Sequence, residues 1–189
     1  MRVSLLAAAL LLAASHGSAA APQRSLGEFE LRNWDGRAVS RASLRGHTTI
    51  VAFTYAKCIL ACPMITFRLQ ELDRELRRPG TLRYLHVSVN PEEDTAEEIL
   101  LHFQKHKIDP RQDPRWMFVN GPAPGLAALL TDLGIQVEKI PVPDGVVIKH
   151  TIVVLVLGPD GRTRAEFDTY HWNKKEMLHV LESLLTSSG

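Results

Sequence analysis

Thr48-Thr-Ile-Val-Ala-Phe-Thr-Tyr55, followed closely by Cys58-Ile-Leu-Ala-Cys62-Pro63, is the stretch of this 189-residue chain that decides its fold. The first segment is β-branched and aromatic over eight residues, which favours a buried central strand over a helix. From Pro63 to Arg78, apolar positions recur at helical spacing until Pro79-Gly80 ends the pattern. The sequence therefore predicts a strand, a cysteine pair and an amphipathic helix in direct succession.

Further strands and helices alternate around this unit. Asp35-Gly36, within the alternating segment 29–39, indicates a hairpin beside the main sheet. The later predicted elements are strand 82–89, a helix opened by Asp94 to Glu98, strand 116–119, helix 125–133, strand 148–157, turn 159–161, strand 164–169 and a helix capped by Asn173. This order predicts one α/β domain, a thioredoxin-like three-layer sandwich with a central mixed sheet and an added N-terminal β-hairpin.

The first twenty residues, MRVSLLAAALLLAASHGSAA, have the features of a secretory signal. Arg2 gives a positive start, Leu5 to Ala14 an apolar stretch, and Ser18-Ala19-Ala20 a small-residue cleavage sequence. We expect cleavage after Ala20, a tail over residues 21–28 and the folded domain over residues 29–189. An uncleaved anchor is the alternative, but this apolar stretch is shorter than the roughly 20 residues that a spanning helix needs.

The mature protein is therefore expected outside the cytoplasm, most simply in a bacterial periplasm, with no membrane span. Its 22 basic and 21 acidic side chains give a formal charge of +1. Such a balance creates no concentrated field that would attract nucleic acid or an anionic membrane surface. We expect no nucleic-acid partner.

Cys58 and Cys62 are the only two cysteines of the chain. They lie between a central strand and a helix, where α/β sheets place their ligand sites. If the segment is helical, both sulfurs share one face with Cα atoms ~6 Å apart, and the helix N-terminus favours the thiolate. The pair can close a disulfide when oxidised or chelate a metal when reduced. A purely structural staple is the alternative, although so short a loop removes little unfolded-state entropy.

A metal site needs a third donor, and His150 is the strongest candidate. It lies at the start of the β-branched strand 148–157, whose edge is expected to face the cysteine helix. Cys58, Cys62 and His150 would form a three-coordinate site suited to Cu(I), with a fourth position for Cu(II) or a partner ligand. The other side chains considered are His86 and Met64, expected in the core, His171, expected in a loop, and His47, His102, His106 and His179, expected to face solvent.

Three motifs resemble the SCO/SenC family of copper chaperones, which help to assemble the dinuclear copper centre of cytochrome c oxidase. Phe53-Thr-Tyr-Ala-Lys-Cys58-Ile-Leu-Ala-Cys62-Pro63 is similar to that family's cysteine motif. Val87-Ser-Val-Asn-Pro91-Glu-Glu-Asp94-Thr95 is similar to its second signature, and His150-Thr151 with Gly158-Pro-Asp-Gly161 to its histidine and hairpin. The likeness runs from about Leu26 to Leu185.

The resemblance implies copper ligands at Cys58, Cys62 and His150. It also implies delivery of copper to a copper-accepting protein, either a cytochrome c oxidase subunit or another periplasmic copper carrier. The family commonly carries aspartates at three places that here hold Leu60, Lys149 and Asn90. These departures change the charge around the site and therefore its partner surface.

A thiol:disulfide oxidoreductase acting on an oxidase subunit or another exported protein is the alternative function. Its chemistry would run through a mixed disulfide at Cys58. Dedicated exchange enzymes usually carry Cys-x-x-Cys, so the extra residue here argues mildly against this reading. Such an enzyme would not need His150, which separates the two hypotheses. A thiol peroxidase is a weaker third, because the segment before Cys58 offers no activating arginine.

Overall fold

The structure is a computed structural model that describes residues 26–77, 80–143, 145–168 and 171–186. The signal sequence expected over residues 1–20 lies outside these ranges. In the ranges that the structure describes, no helix is long and apolar enough to cross a lipid bilayer.

Nine strands and five helices make up the described residues. The strands are β1 (Glu30–Asn33), β2 (Ala38–Ser40), β3 (Thr48–Thr54), β4 (Leu82–Ser88), β5 (Trp116–Asn120), β6 (Val137–Val142), β7 (Gly145–His150), β8 (Val153–Leu157) and β9 (Thr163–Asp168). The helices are α1 (Arg41–Leu44), α2 (Ala61–Glu75), α3 (Ala96–Lys105), α4 (Ala123–Asp132) and α5 (Lys174–Thr186).

Seven of the strands form one mixed sheet in the order β2-β1-β5-β4-β3-β8-β9. The crossovers through α2 and α3 make β3, β4 and β5 parallel, as such connections require. β1 and β8 join this parallel centre in antiparallel pairing. The β1–β2 hairpin turns at Gly36, whose φ of 81° favours glycine, and it adds to one edge of the sheet as the sequence predicts.

Apolar clusters cover both faces of the sheet. Alternate residues of β3 point to opposite sides, so that Val51 and Phe53 pack in a cluster with α4. Ile50 and Ala52 pack in a second cluster with α2, α3 and α5. Helices on both faces of a mixed sheet confirm the predicted three-layer sandwich.

The strand predicted over residues 148–157 is in fact two strands in two different sheets. β7 ends at His150 and pairs with β6 in a separate two-stranded hairpin, whereas β8 begins at Val153 and pairs with β3. Between them, Thr151 donates its N–H to Gln136 O at 3.0 Å, and Gln136 donates its N–H to Thr151 Oγ1 at 3.1 Å. This reciprocal pair closes the hairpin, so His150 lies at the end of the hairpin rather than at the start of a core strand.

The beginning of the described chain packs against the opposite end of the sheet from the cysteines. Leu26, which falls in the tail expected from the sequence, is buried and its N–H lies 3.4 Å from Gly161 O. Gly161 belongs to the turn between β8 and β9, and this turn lies beside the start of β3, where Gly46 N–H donates to Pro159 O at 3.0 Å.

Candidate metal centre

The two cysteines lie just beyond the carboxyl end of β3, a fully buried interior strand of the sheet between β4 and β8. A tight turn follows the strand, in which Cys58 N–H donates to Tyr55 O at 3.1 Å. Leu60 precedes the helix with φ −112° and ψ −93°, so α2 starts only at Ala61. The expectation that both cysteines share a helical face is therefore wrong for Cys58, which lies in the turn, while Cys62 is the second residue of α2.

The turn nevertheless brings the two thiols together. Both cysteines are free, with Cys58 half-buried and Cys62 buried. Hydrogen bonds from the Cys62 thiol, from the N–H groups of Leu60 and Cys62, and from the Tyr55 hydroxyl lower the pKa of Cys58 to about 5, although burial opposes them. The bond to Cys58 and burial raise the pKa of Cys62. At neutral pH the pair therefore consists of a half-buried thiolate at Cys58 and a buried, protonated thiol at Cys62.

A buried carboxylate from the loop between β4 and α3 fixes the turn. Asp94 Oδ1 accepts the N–H of Ala56 at 2.8 Å, and its Oδ2 accepts the Ser88 hydroxyl at 2.6 Å. Asn120 Nδ2 in turn donates to Asp94 O at 2.9 Å. Burial raises the pKa of Asp94 to about 6, although both hydrogen bonds oppose the rise. Sequence reasoning placed Asp94 at the start of a helix and within the second family signature, but it gave the side chain no role beside the cysteines; the signature was the signal for such a role.

Tyr55 stands between the cysteines and His150. Its hydroxyl is bonded to Cys58, and its ring meets the His150 imidazole edge-on, with centroids 6.5 Å apart and planes at 82°. Burial, and then the charge of Cys58, raise the pKa of Tyr55 to about 12, so the phenol remains a donor at neutral pH. His150 is half-buried, and its Nδ1–H donates to Thr151 O at 2.9 Å.

Among the residues that the structure describes, no three His, Cys, Asp or Glu side chains converge closely enough to hold a metal ion. The structure thus joins Cys58 to Cys62 and places His150 beside the Tyr55 ring. Of the three residues predicted for the site, Cys58 and Cys62 are therefore already in contact, whereas His150 contacts Tyr55, the hydrogen-bonding partner of Cys58.

Two of the other histidines differ from their expected environments. His86 is buried as expected, but both of its ring nitrogens lack a hydrogen-bond partner among the described residues. His102 was expected to face solvent, yet only 2% of it is exposed, because α3 turns it onto α2 with Nε2 3.4 Å from Thr66 Oγ1. Burial lowers the pKa of His102 to about 4 and lowers that of His86 as well.

Met64, expected in the core, is instead exposed on α2. The remaining histidines lie at the surface or partly below it: His171 and His179 are exposed, and His47 and His106 are half-buried. Exposure alone does not mark any of these side chains as a metal ligand beside Cys58, Cys62 and His150.

A parallel βαβ core with a dithiol at the carboxyl end of its first strand, where the following helix starts, defines the class as thioredoxin-like dithiol proteins. The sequence model of the SCO1/SenC family matches residues 17–186, and the chain belongs to that family. The resemblance drawn from its three motifs is thereby confirmed.

Known relatives agree with this assignment. The SCO1 protein homologue of Bacillus subtilis (strain 168) is 25% identical over 145 residues, which is 74% of this chain and 72% of that protein. The mitochondrial SCO2 homologue of Bos taurus is 26% identical over 163 residues, and the match spans 84% of this chain but only 58% of that protein.

The fold is also that of a solved relative. The structure of Bradyrhizobium japonicum ScoI with copper bound has a TM-score of 0.74 and 25% identity, covering 85% of this chain and 99% of that one. The predicted thioredoxin-like fold is confirmed.

Proposed function

We propose that the protein is an extracytoplasmic copper metallochaperone that holds copper through Cys58, Cys62 and His150. It delivers the metal to a copper enzyme, and the dinuclear copper centre of cytochrome c oxidase is the acceptor that its family membership favours. The observation that carries this proposal is the joined, polarised dithiol whose Tyr55 partner lies against His150. The signal sequence expected over residues 1–20 supports a periplasmic location.

The donor set suits copper. Two thiolate sulfurs and an imidazole are soft and borderline ligands that favour Cu(I). Cys58 already has thiolate character, whereas Cys62 releases its proton when the metal binds. Because Nδ1–H of His150 is donated to Thr151 O, Nε2 is the nitrogen left to act as ligand. His150 completes the site when the end of β7 moves toward the cysteines.

Release of the metal follows from the accessibility of the site. Two of the three residues between the cysteines, Ile59 and Leu60, are exposed, and Cys58 is half-buried. Ligands of an acceptor protein can therefore approach copper from the side of Cys58 and replace the three donors one at a time. Cys62 takes up its proton again when the copper leaves.

An anaerobic Cu(I) titration of the reduced protein without residues 1–20 tests the proposal. We expect one copper per chain, bound more weakly in each of Cys58→Ser, Cys62→Ser and His150→Ala. His179→Ala, which removes an exposed histidine of α5, is the matched control and should bind as the wild type does. Absence of copper uptake, or uptake indifferent to His150→Ala, would falsify the three-ligand site.

A thiol:disulfide oxidoreductase is the second candidate, because the pKa of Cys58 is lowered to about 5 beside a protonated Cys62. In this function the Cys58 thiolate attacks a client disulfide, one client sulfur leaves as thiolate, and a mixed disulfide forms. Cys62 then loses its proton and displaces the second client sulfur, which oxidises the pair and reduces the client. A dithiol reductant must restore the pair. Exchange that is rapid and unaffected by His150→Ala would favour this function.

A further inference from the structure

The outer face of α2 carries an uncovered apolar strip that begins at the cysteines. It consists of Ile59, Leu60, Met64 and Phe67, which are 84%, 82%, 47% and 48% exposed. Met64 and Phe67 share one face of α2, and Leu60, which comes just before the first turn of the helix, joins this exposed surface to the cysteine turn. We name this set the α2 strip; it extends about 10 Å from the cysteine turn, given the rise of 1.5 Å per residue.

The α2 strip leads into a groove of about 920 Å³ between α2 and the end of α3, and Phe67 lines it. Arg74, Lys105 and Lys107 also line the groove and are exposed. Within the described ranges, none of these three cations has a carboxylate partner within 4 Å. We name them the basic rim.

The acidic side chains of the same groove are already engaged. Arg115 donates to Asp73 at 2.7 and 3.0 Å and to Asp113 at 2.6 Å. Asp109 Oδ1 accepts the N–H of Arg111 at 3.0 Å. The basic rim is therefore the part of the groove that remains available to carboxylates of another molecule, and complementarity of charge points to an acidic ligand.

We propose that a polypeptide segment of the copper-accepting partner docks along α2. Its apolar side chains, next to its own metal-binding groups, cover the α2 strip, and its carboxylates meet the basic rim about 20 Å further along the helix, since Arg74 follows Leu60 by fourteen residues. This inference rests on the proposed function, because it names the partner that the cysteine site serves. Burial of the exposed apolar side chains supplies affinity, and the basic rim sets the direction in which the segment lies.

Two other occupants fit the surface less well. An anionic membrane would meet Glu71, which follows Phe67 by four residues and Met64 by seven and so lies on the same face. A second copy of this chain seated on the α2 strip would cover Cys58, which the proposed transfer requires to be reachable. A polypeptide segment can place apolar side chains along the α2 strip past Glu71 and carboxylates only at the basic rim, whereas a membrane presents its anionic head groups along the whole face.

The test measures binding of the reduced, metal-free copper-centre domain of the oxidase subunit to the reduced, metal-free protein. Met64→Gln/Phe67→Gln and Lys105→Glu/Lys107→Glu should each weaken the complex tenfold or more, which is about 1.4 kcal/mol. Raising the salt concentration should weaken the wild-type complex and leave the charge-reversed one nearly unchanged. Met64→Leu/Phe67→Leu and Arg45→Glu/Lys175→Glu, the latter on other surfaces, should bind as the wild type does.

Copper affinity of each variant is measured separately and should not change. If the protein takes up no copper, the proposed function fails while the docking measurement still stands, because both partners are metal-free. Docking is overturned if the domain does not bind, or if neither paired substitution weakens it. It is equally overturned if the same substitutions abolish binding to vesicles of anionic phospholipid, or abolish a dimer seen in sedimentation.

Discussion

Asp94 Oδ1 holds the backbone N–H of Ala56 at 2.8 Å, although 38 residues of chain separate them. Through this contact the loop that follows β4, the strand beside β3, fixes the turn that carries Cys58. The contact is buried, so its loss leaves an unsatisfied donor in the interior rather than one solvated by water.

Asp94→Ala should therefore lower the free energy of unfolding by about 2 kcal/mol, since it orphans the Ala56 N–H and the Ser88 hydroxyl. It should also weaken Cu(I) binding, because the turn is no longer held. Asp94→Asn can still accept from Ala56 and donate to Ser88, and it should behave almost as the wild type. Urea unfolding and Cu(I) titration of both variants check this; equal stability of the alanine variant would contradict the role.

Tyr55→Phe should raise the pKa of Cys58 toward its ordinary value, because it removes one donor to the thiolate. Cys62→Ser replaces the thiol that lowers the pKa of Cys58 most, and it should change this pKa by more than Tyr55→Phe does. The thiolate absorbance near 240 nm, followed against pH, reports the change. His179→Ala serves as control, and a Cys58 titration curve that is identical in Tyr55→Phe would show that the hydroxyl does not act on the sulfur.

Stability should fall as the pH falls below about 6.5. The pKa of His102 is about 4 in the folded protein and 6.5 as its ordinary value, so between these values only the unfolded chain takes up the proton. His86, whose pKa is also lowered, acts in the same direction. Asp94, whose pKa is raised to about 6, acts in the opposite direction and offsets part of the loss.

Comparison of urea unfolding at pH 6.5 and pH 5 isolates the contribution of His102. His102→Gln should lose less stability than the wild type over this interval, by about 2 kcal/mol. His179→Gln, which changes an exposed histidine, should lose as much as the wild type. Parallel pH profiles of the wild type and His102→Gln would contradict the assignment.

Arg115→Met should destabilise the protein by about 3 kcal/mol without changing Cu(I) affinity. The Arg115 guanidinium donates to Asp73, a buried carboxylate that also accepts the Tyr84 hydroxyl at 2.9 Å. Removal of the guanidinium takes a buried cationic partner away from this carboxylate. Arg162→Met, at an exposed ion pair with Asp160, should cost less than about 0.5 kcal/mol. Thermal unfolding measures both, and equal effects would show that burial of the first pair is unimportant.

The central unit of the fold was predictable because local signals agree there. β3 is β-branched and fully buried, and the core-facing positions of α2, such as Ile65 and Leu69, follow the helical period. The same period could not show that Met64 stays uncovered, because exposure depends on whether another element packs there. His102 was misjudged for the reverse reason: its helix carries many polar side chains, which favoured an exposed histidine, but α2 covers it.

The site was predictable in its thiols and less so in its supports. Cys58 and Cys62 are only four positions apart in sequence, so a tight turn or a helical turn brings them together. The position of His150 depends on the β6–β7 hairpin, and Pro141 with the charged pair Glu138 and Lys149 gave that hairpin no clear strand pattern. The contact of Asp94 with the turn is set by the parallel pairing of β3 with β4, which is a property of the assembled sheet.

Leu26 joins the domain at the turn between β8 and β9, whereas Cys58 follows the far end of β3. The seven residues of β3 separate these two places by about 20 Å. A tether attached ahead of Leu26 would therefore hold the domain at the end opposite the cysteines, and the dithiol would face away from the point of attachment. Release from a membrane would not be required for the cysteines to meet a partner, so retention or removal of such a tether would set how far the domain can travel rather than whether its site is open.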